Sequence, residues 1–222
     1  MTERDIRQKI ITLCRQMNAS GLNQGTSGNI RARLGSTMLI TPSGVPYDDL
    51  VPEQIPSMDL EHDRYEWQGP LPPSSEWHFH HAILKAKPDC GSVVHTHANF
   101  STVLSIGRSA IPACHYMVGA FGGTDVRCAQ YATFGTPQLA EHILDAMDGR
   151  LACLIANHGM VTAGRNLDHA MWLAVELEAL AKQYYFARLG GDVVILPDEE
   201  MIEILRKFKH YGPTQRISAT ET

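Results

Sequence analysis

Two histidines separated by a single residue follow a short apolar run in "SVVHTHANFS", residues 92–101. Side chains alternate between the faces of a β-strand, so His95 and His97 would point to the same side with Cα atoms roughly 6.5–7 Å apart. Two imidazoles at that separation can bind one metal ion. The helix-like "FSTVLSI" that follows places the pair at the carboxyl end of a strand, where open α/β sheets bind ligands.

A third histidine, His158 in "IANHGM", ends another apolar run and precedes a glycine, which allows close approach of a ligand to the backbone. Catalytic zinc sites use three protein ligands and keep one position open for substrate. A histidine-rich metal site therefore explains His95, His97 and His158 better than three unrelated core histidines do.

Glu76 begins a predicted helix, "EWHFHHAILKAK", directly after two serines. Either Ser74 or Ser75 is a candidate N-cap, and the positive end of the helix dipole would stabilise the carboxylate. By position alone, such a glutamate is more often an ordinary acidic residue of a first helical turn. His80 could pair with it four residues later, although we interpret the neighbouring histidines mainly as helix-packing or surface residues, namely His78, His80 and His81.

Three small, donor-rich turns could bind an anion: "TSGN" at 26–29, "PSG" at 42–44, and the serines before Glu76. Backbone N–H groups at a helix start and serine hydroxyls are suitable donors for a phosphate. Each of these segments alone is more often an ordinary turn that binds no ligand. Together they weakly indicate a phosphate pocket.

The composition narrows the functional classes. The chain has 222 residues, 44% of them hydrophobic, which predicts one globular domain over residues 1–222. A net charge of −5 without a basic run argues against nucleic-acid binding. An anionic substrate would have to be held by local donors.

The cysteines and the first twenty residues indicate a cellular location. The five cysteines are scattered and form no C-x-x-C pair, which argues against a disulfide framework and favours a reducing cytoplasm. The sequence "MTERDIRQKIITLCRQMNAS" is typical of an amphipathic helix and has no apolar stretch long enough for a signal peptide or membrane span. We therefore expect a soluble, cytoplasmic protein with no membrane partner.

The order of elements predicts an α+β fold with α/β/α layers and a mainly antiparallel central sheet. Strands are expected at "NIRAR", "STMLI", near "PSMDL", at "SVVHTHA", near "IPACHY" and "DVRCAQY", and as a hairpin at "LACLIANHG" and "MVTAG". Helices are expected at the first twenty residues, after Ser75, over 99–106, at "TPQLAEHILDAM", over 166–189 and from about 197 to 210. A polar tail at about 213–222 is predicted to be disordered.

Eight segments occur in an order that resembles the class II aldolase/adducin family, and most closely the L-fuculose-phosphate aldolases. They are "LNQGTSGNIRAR", "LITPSGVPY", "LPPSSEWHFH", "VVHTHA", "IPACHYM", "YATFGT", "NHG" and "KFKHYG". The joint presence of P-S-S-E, H-T-H and N-H-G is specific, whereas each alone is weak. Asn157 departs from the pattern, because a histidine is familiar before the third ligand.

The resemblance implies a site and an assembly. One Zn²⁺ per subunit would be held by His95, His97 and His158, with Glu76 as the acid/base that can also touch the metal; the sequence does not distinguish zinc from another divalent ion. Phosphate binding is implied for Gly28, Asn29, Ser43, Gly44, Ser74 and Ser75. Tyr116 and Tyr211 would reach the active site across a subunit boundary of a homotetramer.

The resemblance also implies a reaction, the reversible cleavage of an L-fuculose 1-phosphate-like ketose 1-phosphate to dihydroxyacetone phosphate and a short aldehyde. Tyr116 is the candidate to exchange a proton with the aldehyde-side hydroxyl. The alternative substrates are 5-deoxyribulose or 5-methylthioribulose 1-phosphate of a salvage pathway, for which Phe121 and Met117 could favour an apolar tail or could simply pack. A sugar-phosphate 4-epimerase and a non-catalytic, adducin-like protein are weaker alternatives, because epimerase relatives usually carry aspartate at Glu76 and all implied ligands are present.

Overall fold

The computed structural model describes residues 1–62 and 64–209. These residues form an eight-stranded sheet in the order β4-β3-β2-β1-β5-β8-β7-β6. The strands are β1 (Asn29–Leu34), β2 (Thr37–Ile40), β3 (Ser57–Asp59), β4 (Trp67–Gln68), β5 (Ser92–Thr96), β6 (Cys128–Ala129), β7 (Ala152–Ile155) and β8 (Gly159–Gly164). The β6 and β7 strands pair in parallel and the other neighbours are antiparallel, which confirms the predicted sheet.

Helices cover both faces of this sheet. They are α1 (Glu3–Ala19), α2 (Trp77–Ala86), α3 (Asn99–Ile106), α4 (Pro137–Ala146), α5 (Leu167–Gly190) and α6 (Asp198–Phe208), with 3₁₀ turns at Pro52–Gln54 and Tyr116–Phe121. Consecutive strand residues enter different cores: Val94 packs with α1, α3 and α5, whereas Val93 packs with α2 and α4. The predicted α/β/α layering is therefore confirmed. No helix in the described part of the chain is long and apolar enough to cross a membrane.

One predicted strand is absent and another is shorter than predicted. No strand forms at "IPACHY", where Ile111 makes an isolated bridge to Val126 and a 3₁₀ turn begins at Tyr116. The next residue, Pro112, has no N–H with which to extend a ladder. Strand β6 retains two residues of the predicted "DVRCAQY".

The start of α2 also differs from its prediction. The N-cap is Glu76 instead of Ser74 or Ser75, and its side chain makes no capping hydrogen bond. Both serines are tied to the turn after β2: the Ser74 N–H donates to the Thr41 carbonyl (2.9 Å) and the Ser75 N–H to Ser43 Oγ (2.9 Å). These long-range bonds hold the serines in the connecting segment, so the helix begins one residue later.

A carboxylate from α5 caps the helix that follows the H-T-H segment. Glu178 accepts hydrogen bonds from the N–H of Phe100 (2.8 Å) and from both the N–H (2.9 Å) and the hydroxyl (2.8 Å) of Ser101. The α3 N-terminus would otherwise leave these donors without a partner. Glu178 therefore fixes the point at which the chain leaves His97 and begins α3.

We expect Glu178→Gln to lower the free energy of unfolding by roughly 1.5–3 kcal/mol, because hydrogen bonds to a charged group contribute about that much. The amide keeps a single acceptor oxygen where the carboxylate supplied two. Urea denaturation measures the change. Glu141→Gln, at an exposed position on α4, is the control and should shift stability by less than about 0.5 kcal/mol. Equal stability of the two variants would contradict the capping role.

Candidate metal centre and anion pocket

The three predicted histidines converge at one edge of the sheet. Their nearest ligand atoms all lie within 4.8 Å of one another, and their ring centroids are 4.8–5.0 Å apart. The antiparallel pairing of Thr96 with Met160 brings the β7–β8 turn beside the end of β5. A Cβ at Gly159 would lie 2.4 Å from the Thr96 carbonyl oxygen, so the close approach requires glycine.

The ring nitrogens of this cluster suit a divalent cation. His95 Nδ1 donates to the Met160 carbonyl (2.8 Å), which leaves the Nε2 lone pair of the neutral ring directed into the cluster. The buried Nε2 atom of His97 has no hydrogen-bond partner among the described residues, and the buried Nε2 atom of His95 faces the Glu76 carboxylate. Burial lowers the pKa of His97 to about 4, so its imidazole is neutral at physiological pH. Neutral imidazoles are the form that binds metal.

Glu76 lies against the same cluster from the start of α2. Its carboxylate oxygens are 3.2 Å from His95 Nε2 and 3.2 Å from His158 Nε2. Burial raises the pKa of the Glu76 carboxyl, but the two histidines lower it by more, so the group is ionised. Burial lowers the pKa of His95 and Glu76 raises it by more. A proton therefore competes with a cation for His95 Nε2.

A cavity of about 380 Å³ opens beside Glu76, His97 and His158. All three small-residue turns reach it, with Gly28, Asn29, Ser43, Gly44, Ser74 and Ser75 among its lining residues. No lysine or arginine of the described chain lines it. An anion there would be held by neutral donors, as the sequence predicts for an acidic chain.

The sequence of this chain matches a known family along most of its length. Residues 8–185 match the Class II Aldolase and Adducin N-terminal domain. The chain belongs to this family. It is 51% identical over 212 residues to a 5-methylthioribulose-1-phosphate/5-deoxyribulose-1-phosphate aldolase of Rhodospirillum rubrum, covering 96% of this chain and 95% of the relative. It is 45% identical over 213 residues to the L-fuculose phosphate aldolase of Escherichia coli, covering 96% and 98%.

The fold agrees with that membership. A solved L-fuculose 1-phosphate aldolase superposes with a TM-score of 0.89 at 37% identity, covering 94% of this chain and 98% of that structure. The protein is a class II, metal-dependent aldolase of the kind that acts on sugar phosphates. The three-histidine cluster is its candidate metal site.

Several pocket residues of the aldolase were not identified as candidates from its sequence. Tyr131 and Phe134 line the cavity with side chains that are 53% and 65% exposed, and Asn157 lines it beside His158. The segment "YATFGT" is one of the eight that resemble the family, but its sequence indicates no role for Tyr131 or Phe134. His80, which we expected to be a packing or surface residue, is fully buried and hydrogen-bonded to Asn29.

Of the two predicted tyrosines, the structure describes Tyr116 and places it outside the pocket of its own chain. Tyr116 is 54% exposed, does not line the cavity, and stacks on Phe208. Tyr211 and the predicted disordered tail lie outside the described residues. Phe121 is fully buried in the core and Met117 packs against that core, so neither lines the pocket of this chain. For Phe121, packing is therefore the correct interpretation.

Proposed function

We propose that this aldolase reversibly cleaves a ketose 1-phosphate, such as L-fuculose 1-phosphate, to dihydroxyacetone phosphate and a short aldehyde. The observation that carries the proposal is the single cavity that joins three donor-rich turns to Glu76 and the histidine cluster. One end of the cavity suits a phosphate, and the other suits a carbonyl that must be polarised. A phosphorylated ketone has both groups within the span of a few atoms.

His95, His97 and His158 would hold one divalent ion, which we assign as Zn²⁺ because three imidazoles form a common catalytic zinc set. When bound, such an ion supplies Lewis-acid stabilisation of the negative charge that develops on the ketone oxygen during carbon–carbon cleavage. Gly159 allows the β7–β8 turn to bring His158 within reach of the other two ligands. The Met160 carbonyl holds the His95 ring in its metal-binding orientation.

Glu76 is assigned as the acid/base of the reaction. Cleavage leaves an enediolate, and Glu76 would deliver a proton to its carbon; in the direction of synthesis it would remove that proton. Its carboxylate lines the cavity and is ionised, as a base must be. The Asn29 amide donates to Oε2 and not to Oε1; the Oε1 atom instead lies 3.2 Å from His158 Nε2, beside the proposed metal site, and is our candidate for the oxygen that carries the proton.

The phosphate would bind between the turns of Gly28 and Asn29, of Ser43 and Gly44, and of Ser74 and Ser75. Three connections already hold these turns together. Ser75 N–H donates to Ser43 Oγ, Ser74 N–H donates to the Thr41 carbonyl, and the Asn29 amide donates to Ser74 Oγ (3.3 Å). The donors are thus positioned before substrate arrives, which lowers the entropic cost of binding.

A 5-deoxyribulose or 5-methylthioribulose 1-phosphate is the second candidate substrate. The exposed aromatic side chains of Tyr131 and Phe134 give the cavity an apolar wall that suits a methyl or thioether tail.

The decisive experiment assays L-fuculose, 5-deoxyribulose and 5-methylthioribulose 1-phosphates separately for release of dihydroxyacetone phosphate. We expect cleavage of at least one, and the highest kcat/KM identifies the substrate. Failure of the metal-loaded enzyme on all three would contradict the proposed function.

The active assembly is proposed to be a homotetramer in which Tyr116 completes the site of a neighbouring subunit. Its exposed side chain on the 3₁₀ turn, outside its own cavity, supports this arrangement. There Tyr116 would exchange a proton with the aldehyde-side hydroxyl.

Subunit exchange tests the shared site. We expect a mixture of inactive His95→Ala chains and weakly active Tyr116→Phe chains to regain about one quarter of the sites on random mixing in a closed ring. An intact site then combines the histidines of one chain with the tyrosine of the other. Native mass spectrometry confirms exchange. Mixed tetramers without recovered activity would show that Tyr116 does not act across the boundary.

A further inference from the structure

The side-chain amide of Asn29 lies between Glu76, the N-cap residue of α2, and His80 in the first turns of that helix. Its nitrogen donates to Glu76 Oε2 (2.9 Å) and to Ser74 Oγ (3.3 Å), and its oxygen accepts from His80 Nε2. Asn29 is 4% exposed, Glu76 6% and His80 0%, so water does not compete for these bonds. The Asn29 backbone is fixed as well, because Asn29 pairs with His95 across β1 and β5.

The orientation of this amide determines what Glu76 encounters. With the nitrogen toward the carboxylate, Asn29 provides a donor; rotated by half a turn, it would place an amide oxygen against a buried negative charge. An ionised carboxylate accepts hydrogen bonds and donates none. The carboxylate therefore favours the first orientation, and a donor on the opposite side of the amide, where His80 lies, fixes it further.

His80 is suited to that task as a neutral imidazole. Burial, together with the positive charge of the buried Arg31, holds the pKa of His80 well below its usual value. A neutral ring has one N–H donor, and the Asn29 oxygen can only accept. The proton therefore lies on Nε2, and the ring donates to Asn29 without adding a charge next to the histidine cluster.

We propose that His80 is a positioning residue for proton transfer: its Nε2–H fixes the Asn29 amide, which holds Glu76 Oε2 and leaves Oε1 as the oxygen that exchanges the proton. The inference rests on the proposed acid/base role of Glu76. It divides the carboxylate into a held oxygen and a reacting oxygen. His80 does not line the cavity and is not one of the three clustered histidines, so its loss would act on the site through Asn29.

The test compares His80→Leu, which removes the donor, with His80→Gln, whose side-chain amide can restore an N–H near the position of Nε2. The readout is exchange of the hydroxymethyl protons of dihydroxyacetone phosphate into deuterated solvent. We expect His80→Leu to lower the maximal exchange rate by roughly 10–100-fold, the usual effect of losing a group that orients a reacting one. The zinc content should stay near wild type, the half-saturating substrate concentration should change by a smaller factor than the rate, and His80→Gln should recover most of the rate. His78→Leu, on the same helix, is the control and should leave the rate unchanged.

An equal rate in His80→Leu and wild type would overturn the proposal, as would a loss in which zinc content falls in parallel and glutamine gives no recovery. Wild-type enzyme that exchanges no proton would instead refute the proposed function, so the two failures are distinct. Nitrogen-15 NMR of the zinc-loaded, full-length enzyme gives a readout independent of activity. The His80 ring should show a protonated Nε2 and an unprotonated Nδ1, and the opposite tautomer would overturn the assignment even if the leucine variant failed to fold.

Discussion

Glu76→Gln is expected to lower proton exchange at the hydroxymethyl carbon of dihydroxyacetone phosphate by roughly 10²–10⁴-fold, the range for removal of a positioned acid/base. Glutamine has nearly the same shape and its amide oxygen can still accept from Asn29, so the fold and the pocket should persist. What disappears is the ionised oxygen that takes and returns the proton. Exchange into deuterated solvent measures this step without the aldehyde partner.

Binding of dihydroxyacetone phosphate and metal content should be measured on the same Glu76→Gln sample, because a carboxylate 3.2 Å from two of the histidines could also affect metal binding. Glu141→Gln, on the exposed face of α4, controls for the general loss of an acidic group. Exchange at the wild-type rate in Glu76→Gln would remove the residue from its assigned role.

His95→Ala is expected to abolish both metal binding and cleavage. Losing one of three ligands should weaken binding by more than the roughly 10–100-fold that loss of an outer partner costs. The side chain is fully buried and its ring is held by the Met160 carbonyl, and the variant keeps only two of the three imidazoles. Elemental analysis of protein purified without chelator should find one ion per wild-type chain and almost none in the variant.

Stability supplies a second measure of metal binding by His95. A ligand at 100 times its Kd raises the stability of the native state by about 2.7 kcal/mol, so zinc should raise the melting temperature of wild-type protein. It should not raise that of His95→Ala. His62→Ala, an exposed histidine paired with Asp59, is the control and should behave as wild type. Chelated wild-type enzyme that still cleaves its substrate would contradict the metal mechanism.

The prediction of the fold from the sequence was accurate where the pattern is local. Alternation of side chains along "SVVHT" and "NIRAR" reflects the geometry of a single strand, and the predicted strands β1, β2, β5, β7 and β8 are observed. No strand forms at "IPACHY" because Pro112 has no N–H to donate to a ladder, and because a strand needs a partner that composition does not reveal. The N-cap of α2 is Glu76, and not one of the two serines before it, because residues about thirty positions away hold those serines outside the helix.

For the candidate site, the sequence by itself determined which residue types are available: an H-x-H pair that must share a strand face, a third histidine before a glycine, and an acidic residue behind two serines. Only the tertiary structure decided that they meet, because antiparallel pairing of β5 with β8 depends on long-range packing that no local pattern encodes. The same holds for the three turns that share one cavity and for the aromatic wall of Tyr131 and Phe134. His80 shows most clearly what the sequence alone does not reveal. Its position on the helix is typical of a packing residue. Only the tertiary structure brings it to Asn29, fifty-one positions away along the chain, and through Asn29 to Glu76.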